Sequence, residues 1–116
     1  MNLAIVGGGT RCLYLISFIE KHTFQMIAPN VRAVADTNPQ AVGFLKARDL
    51  GLFVTADYND FFEMDDIDLI IELTGNLDIY NDILVKKKKN VRAIAHTTAI
   101  LFWEIARIAE KENMPA

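Results

Sequence analysis

Apolar residues follow two alternating rhythms along this chain: short, largely apolar runs, and longer stretches where they recur every three or four positions. The runs are Asn2 to Val6, Val31 to Asp36, Leu52 to Thr55, Ile67 to Leu73 and Val91 to Ala95. Short apolar runs bounded by turn residues predict strands buried on both faces, as in a parallel sheet. The periodic stretches between them predict helices. Thr10 to about His22 carries Leu13, Ile16 and Ile19 at helical spacing. Asn38-Pro39 predicts the start of a second helix, with proline in its first turn, running to about Leu50 and stopping at Gly51. Asp57 is placed to cap a brief helix through Phe61 and Phe62. A further helix starts near Leu77 and ends in four lysines, Lys86 to Lys89; the last spans about Thr98 to Glu112.

Strand and helix alternate five times without a break in composition. That alternation predicts an α/β domain, a Rossmann-like doubly wound parallel sheet of five strands with helices on both faces. Right-handed crossovers, together with a glycine fingerprint after the first strand, predict the strand order 3-2-1-4-5. No linker, internal repeat or low-complexity stretch divides residues 1–116, so a single domain is expected.

The first strand runs directly into Gly7-Gly8-Gly9-Thr10-Arg11-Cys12 at the start of a helix. Gly7 and Gly9 fit the first two positions of the G-x-G-x-x-G fingerprint. The first glycine makes the turn, and the second leaves room for a pyrophosphate at the helix N-terminus. Cys12 takes the place of the third glycine, where helix and strand pack closely. A thiol beside Arg11 in a first helical turn invites a redox reading; a small buried filler is the plainer expectation.

Asp36 closes the second strand, where a carboxylate can accept both hydroxyls of an adenosine ribose; the alternative is a cap on the next helix. No arginine follows in Thr37-Asn38-Pro39 to clasp a 2′-phosphate, although Arg11 offers one from the glycine loop, so NAD is preferred over NADP. Thr74, Gly75 and Asn76 follow the fourth strand and are expected to line the same crevice, with helix capping by Asn76 as the alternative. His96 is read as the end of the fifth strand, a polar lining residue and a weak candidate for proton transfer. The expected cofactor-binding set is Gly7, Gly8, Gly9, Thr10, Arg11, Asp36, Thr37, Thr74, Gly75, Asn76 and His96, with no metal ligands. The lysine run reads as a solvated helix end that offsets the dipole. The last helix, with Leu101, Phe102, Trp103, Ile105 and Ile108, has more apolar surface than one sheet contact needs. A homodimer seam or a downstream signalling domain is expected there.

Composition narrows the partners. A formal net charge of −3 argues against nucleic acid, and 52% hydrophobic against 23% charged residues marks a globular chain. One cysteine forms no internal disulfide, and no apolar run is long enough to span a bilayer or to act as a leader, so a cytoplasmic location is expected.

The segments Leu3 to Gly9, Val34-Ala35-Asp36 and Leu69-Ile70-Ile71-Glu72-Leu73-Thr74-Gly75 together resemble the NAD-binding domain of the homoserine dehydrogenase group. The resemblance implies that Gly7, Gly9 and Thr10 hold the pyrophosphate, Asp36 the adenosine ribose, and Thr74 and Gly75 the other half of the cofactor. Those enzymes end the fifth strand in a motif with a functional lysine and carry a separate substrate domain. Here the residues are Ala95-His96-Thr97-Thr98, and no groups to hold a substrate against the nicotinamide are apparent. Val91 to Glu104, with His96 ahead of Leu101-Phe102-Trp103-Glu104, is similar to nucleotide-binding modules at the N-terminus of some bacterial sensor histidine kinases. The expectation is a module that binds NAD(H) or a related adenine nucleotide in a sensory or regulatory role, and is not an enzyme by itself. The alternatives are the cofactor half of an NAD(P)-dependent dehydrogenase and an interaction module without a ligand. S-adenosylmethionine and coenzyme A also use glycine loops in such folds.

Overall fold

In a computed structural model describing residues 1–112, the apolar runs form strands and the periodic stretches form helices. The order is β1 (Asn2–Val6), α1 (Thr10–Lys21), β2 (Asn30–Ala35), α2 (Val42–Asp49), β3 (Phe53–Thr55), a 3-10 helix (Tyr58–Glu63), β4 (Leu69–Glu72), α3 (Leu77–Lys86), β5 (Arg92–Ile94) and α4 (His96–Lys111). The end of the expected single-domain span, residues 113–116, lies outside the described residues.

All five strands are parallel and lie in the order β3-β2-β1-β4-β5, as the sequence pattern predicts. Alternate residues of the central strands serve two cores. Ala4, Val6, Ala33, Ala35 and Ile70 pack beneath Phe61 and Ile83 on one face. Leu3, Ile5, Val34 and Ile71 meet Cys12 and Ile16 of α1 and Ala47 of α2 on the other. The alanines on the first face bring Phe61 and Ile83 close to the backbone, and Ala4 and Ile5 are wholly buried in the middle strand.

Register positions the site. Val6 pairs with Ala35 on one side and Glu72 on the other, so β1, β2 and β4 end at one level. The Gly7 N–H donates to the Ala35 carbonyl at 2.8 Å, and the Leu73 N–H to the Val6 carbonyl at 2.8 Å. The chain reverses direction across the sheet between β1 and β4, and a crevice opens there at the carboxyl ends.

Three local expectations need correction. Asn38-Pro39 does not start α2. The Asn38 side chain accepts the Gln40 N–H at 3.0 Å, and its carbonyl accepts the Ala41 N–H at 3.1 Å. Proline therefore sits inside a turn, and the helix begins at Val42. Only Lys86 of the lysine run is helical; Lys87 is the C-cap and Lys88 leaves to bond Asp65 at 2.7 Å. His96 is the first residue of α4, not the last of β5.

The other end of α2 is as expected. Gly51, at φ +77°, donates to the Arg48 carbonyl while Leu52 donates to Ala47, a Schellman ending that only glycine adopts without strain. None of the described helices is long and apolar enough to cross a membrane.

Candidate functional site

The glycine loop is held from three sides, and its glycines have different reasons to be there. Gly7 has φ +108°, and a side chain on it would meet the backbone of Leu73 and Thr74 at 3.2 Å. Its conformation requires glycine. Gly8 is buried beneath α2. Its N–H donates to Asp36 Oδ2 at 2.7 Å, and its carbonyl accepts the Phe44 N–H at 2.9 Å. A Cβ on Gly8 would come within 3.0 Å of Phe44 and 3.2 Å of Asp36. Gly9 is different. Its φ is −84°, and a Cβ there would meet nothing within 4 Å. Neither backbone strain nor packing calls for glycine at this position, and the space before it is open.

Gly9 is the N-cap of α1, with no side-chain cap and no acidic residue in the first turn. Among the described residues no acceptor takes the N–H of Thr10, Arg11 or Cys12; the first helical bond runs from Leu13 to the Gly9 carbonyl at 3.1 Å. These are the orphan donors of a helix start, at its partial positive end. They open on a crevice of about 610 Å³ lined by Gly7, Gly9, Thr10, Arg11, Cys12, Tyr14, Asp36, Leu73, Thr74 and Trp103.

Cys12 fills the place of the third glycine because α2 supplies the missing space. A Cβ on Gly43 would lie 2.7 Å from the Cys12 Cβ, 2.7 Å from the Gly9 carbonyl oxygen and 2.8 Å from that of Gly8. The glycine that lets helix and loop meet has thus moved onto the neighbouring helix. Gly43 was not among the expected residues; the signal for it is a lone glycine near the start of a helical pattern. Burial, and next the Asp36 carboxylate, push the Cys12 thiol up to about 12. It stays protonated at neutral pH, which removes the redox reading and leaves the buried filler.

Asp36 is both anchor and rim. Besides the Gly8 N–H, its Oδ1 accepts the Asn38 N–H at 2.8 Å. Each oxygen uses one of its two acceptor positions, so a second remains on each. Arg11 lies elsewhere: its guanidinium bonds His96 Nε2 at 3.2 Å, on the β4–β5 side of the crevice. Arginine only donates, so Nε2 accepts and the ring proton sits on Nδ1. The His96 ring in turn covers Gly75, 3.6 Å from where a Cβ would stand.

The loop after β4 is closed on itself. Buried Glu72 accepts the Thr74 N–H at 2.5 Å, the Gly75 N–H at 3.0 Å, and the Thr74 hydroxyl. The Thr74 oxygen accepts the Asn76 N–H at 3.1 Å, and Asn76 Oδ1 accepts the N–H groups of Asp78 and Ile79. Of the residues expected to bind a cofactor, Gly7, Gly9, Thr10, Arg11, Asp36 and Thr74 meet at the crevice wall. Gly8 lies behind it, Thr37 is exposed, Gly75 and His96 cover each other, and Asn76 is a helix cap.

Two aromatic residues were not expected to serve the crevice. Tyr14 of α1 and Trp103 of α4 stack with centroids 5.4 Å apart and planes 4° apart, and both line the crevice. Among the described residues no group of three His, Cys, Asp or Glu side chains could hold a metal ion. Comparison with protein-family models finds no match, and comparison with curated proteins finds none either.

Proposed function

We propose that this domain binds NAD(H) or a related adenine nucleotide in the crevice at the start of α1, as a sensing or regulatory module. One observation carries the reading: Gly9 has open space before it, and the unspent N–H groups of α1 lie behind it. A diphosphate fits both features, since it needs close backbone approach and several donors. The open acceptor positions of Asp36 suit ribose hydroxyls, and its charge repels a 2′-phosphate. Arg11, bonded to His96, is engaged away from that end, which favours NAD over NADP. The resemblance of the glycine loop, Asp36 and the Thr74-Gly75 segment to the NAD-binding domains of dehydrogenases points the same way.

The regulatory part rests on α4. Arg11–His96 and Tyr14–Trp103 join the crevice wall to this helix, so a ligand that draws Arg11 or displaces Tyr14 changes how α4 is held.

Calorimetry with NAD, NADH, NADP, ADP and S-adenosylmethionine tests the site. Gly9→Val is the control, because at Gly9 the backbone is extended and a Cβ meets nothing within 4 Å, so the substitution costs the fold at most a poorer helix cap. NAD or NADH binds the wild type, NADP binds more weakly, and Gly9→Val loses about 100-fold or more in affinity with a stability cost of no more than about 1 kcal/mol for the poorer N-cap. No binding by any of the five ligands, or equal binding by Gly9→Val, refutes the site. Hydrogen exchange of α4 that ignores a bound nucleotide refutes the regulatory part alone.

A further inference from the structure

Helix α4 has two apolar faces, and the fold uses one of them. Ala99, Trp103 and Ala106, with Phe102 at their edge, line an apolar groove towards α1 and the sheet. On the far side Leu101, Ile105 and Ile108, spaced four and three residues apart, remain 55%, 51% and 55% exposed. That spacing makes a continuous seam on one side of a helix, of the kind that pairs with another helix. Glu104 and Lys111 flank it on one edge, Phe102 and Ala109 on the other. The ion pairs among the described residues involve neither Glu104 nor Lys111.

We propose that this seam pairs with the same seam of a second copy, with the two α4 helices antiparallel. Setting Ile105 against Ile108 of the second copy brings Glu104 opposite Lys111 of that copy. Phe102 then falls opposite its Ala109, and the two-fold axis makes every contact twice. Opposite charges meet on one edge, and a large ring meets a small residue on the other. The parallel arrangement has no such match: Glu112 faces Glu112, and Glu104 lies beside Ala109. Charge and size therefore select both the second copy as occupant and its direction. The seam faces away from Trp103, so pairing leaves the crevice wall in place.

A 16-residue helix is roughly 24 Å long, and a seam of that length buries on the order of 1,000 Å² in total, the low end for a specific interface. The dimer is therefore reversible and depends on concentration.

Sedimentation equilibrium from about 1 μM to about 1 mM tests the pairing, with circular dichroism to confirm that each variant folds. The wild type passes from one chain to two, and Ile105→Glu stays single throughout. Glu104→Lys and Lys111→Glu each weaken the dimer about tenfold, and the double variant returns to near wild-type affinity. A wild type that is monomeric at every concentration overturns the proposal. So does a dimer that survives Ile105→Glu. Loss on both single charge reversals without recovery in the double variant overturns the antiparallel register.

Discussion

Helices α1 and α3 leave the carboxyl ends of adjacent strands, yet their N-termini are finished in opposite ways. The start of α3 is closed from within: Asn76 caps it, Asp78 supplies negative charge in its first turn, and Glu72 holds the preceding loop. The start of α1 has neither a side-chain cap nor an acid. It is held from behind, because the Phe44 N–H of α2 donates to the Gly8 carbonyl and Gly43 lets α2 approach the loop. A helix start that secures itself with its own side chains has few donors left for an anion. One secured by a neighbour keeps its donors and gives up autonomy.

The comparison breaks most visibly at Gly43. Gly43→Ala drives a methyl into two backbone carbonyls and the Cys12 side chain, none of which is the free end of a flexible group. A loss of about 3 kcal/mol is expected in urea unfolding. Because the glycine loop must shift, nucleotide affinity should fall with it. A variant as stable as wild type would show that α2 does not hold the start of α1. At α3 the matching change is Glu72→Ala, which strips the Thr74 and Gly75 N–H groups of their acceptor. The expected loss is about 2–3 kcal/mol, with a far smaller effect on nucleotide binding.

These two anchors also mark what could be read from sequence and what could not. The strands, their order, the Gly7 turn and the Gly51 ending all follow from local pattern and were legible. Asn38-Pro39 misled because a proline in a turn and a proline in a first helical turn share the same fixed φ; the Asn38 side chain decides between them. His96 reads as the end of β5 because the largely apolar run Val91 to Ala95, broken only by Arg92, leads straight into it, and nothing local marks where the last strand yields to α4. Gly43 was missed for a deeper reason. Its role exists only once α2 lies across the glycine loop; a lone glycine near the start of a helical pattern marks the position but not what it packs against. The same holds for Trp103 on Tyr14.

Cys12 sharpens the contrast from the inside. Folding raises its pKa from 9.0 to about 12, chiefly through burial, so the folded state holds the proton more tightly than the unfolded chain. That stabilisation is complete below pH 9 and is lost as the pH climbs from about 9 towards 12. At pH 10.5 it is expected to cost about 2 kcal/mol relative to pH 8. Tyr58, whose bond to Asp82 pushes it up to about 12, titrates in the same window. Cys12→Ala should therefore reduce the alkaline loss and leave a remainder. An unchanged pH profile in Cys12→Ala would place the thiol outside the packed contact with Gly43.

The smallest effect gives the cleanest separation of the two helix starts. Asn76→Ala removes the acceptor of the Asp78 and Ile79 N–H groups, which costs about 1 kcal/mol, the usual value of a helix cap. Those donors then turn to water at a position already occupied by Asp78, whose charge disfavours an anion. Nucleotide affinity should stay within about twofold of wild type. Gly9→Val predicts the reverse emphasis, with at most a comparable cap cost and a large loss of affinity, since its side chain enters space that the protein leaves empty. If Asn76→Ala lowered affinity as much as Gly9→Val, the ligand would have to straddle both helix starts. The distinction between a self-capped α3 and an open α1 would then no longer locate the site. Measuring both variants by unfolding and by calorimetry decides the point, because capping and ligand approach predict very different losses of affinity at a similar cost in stability.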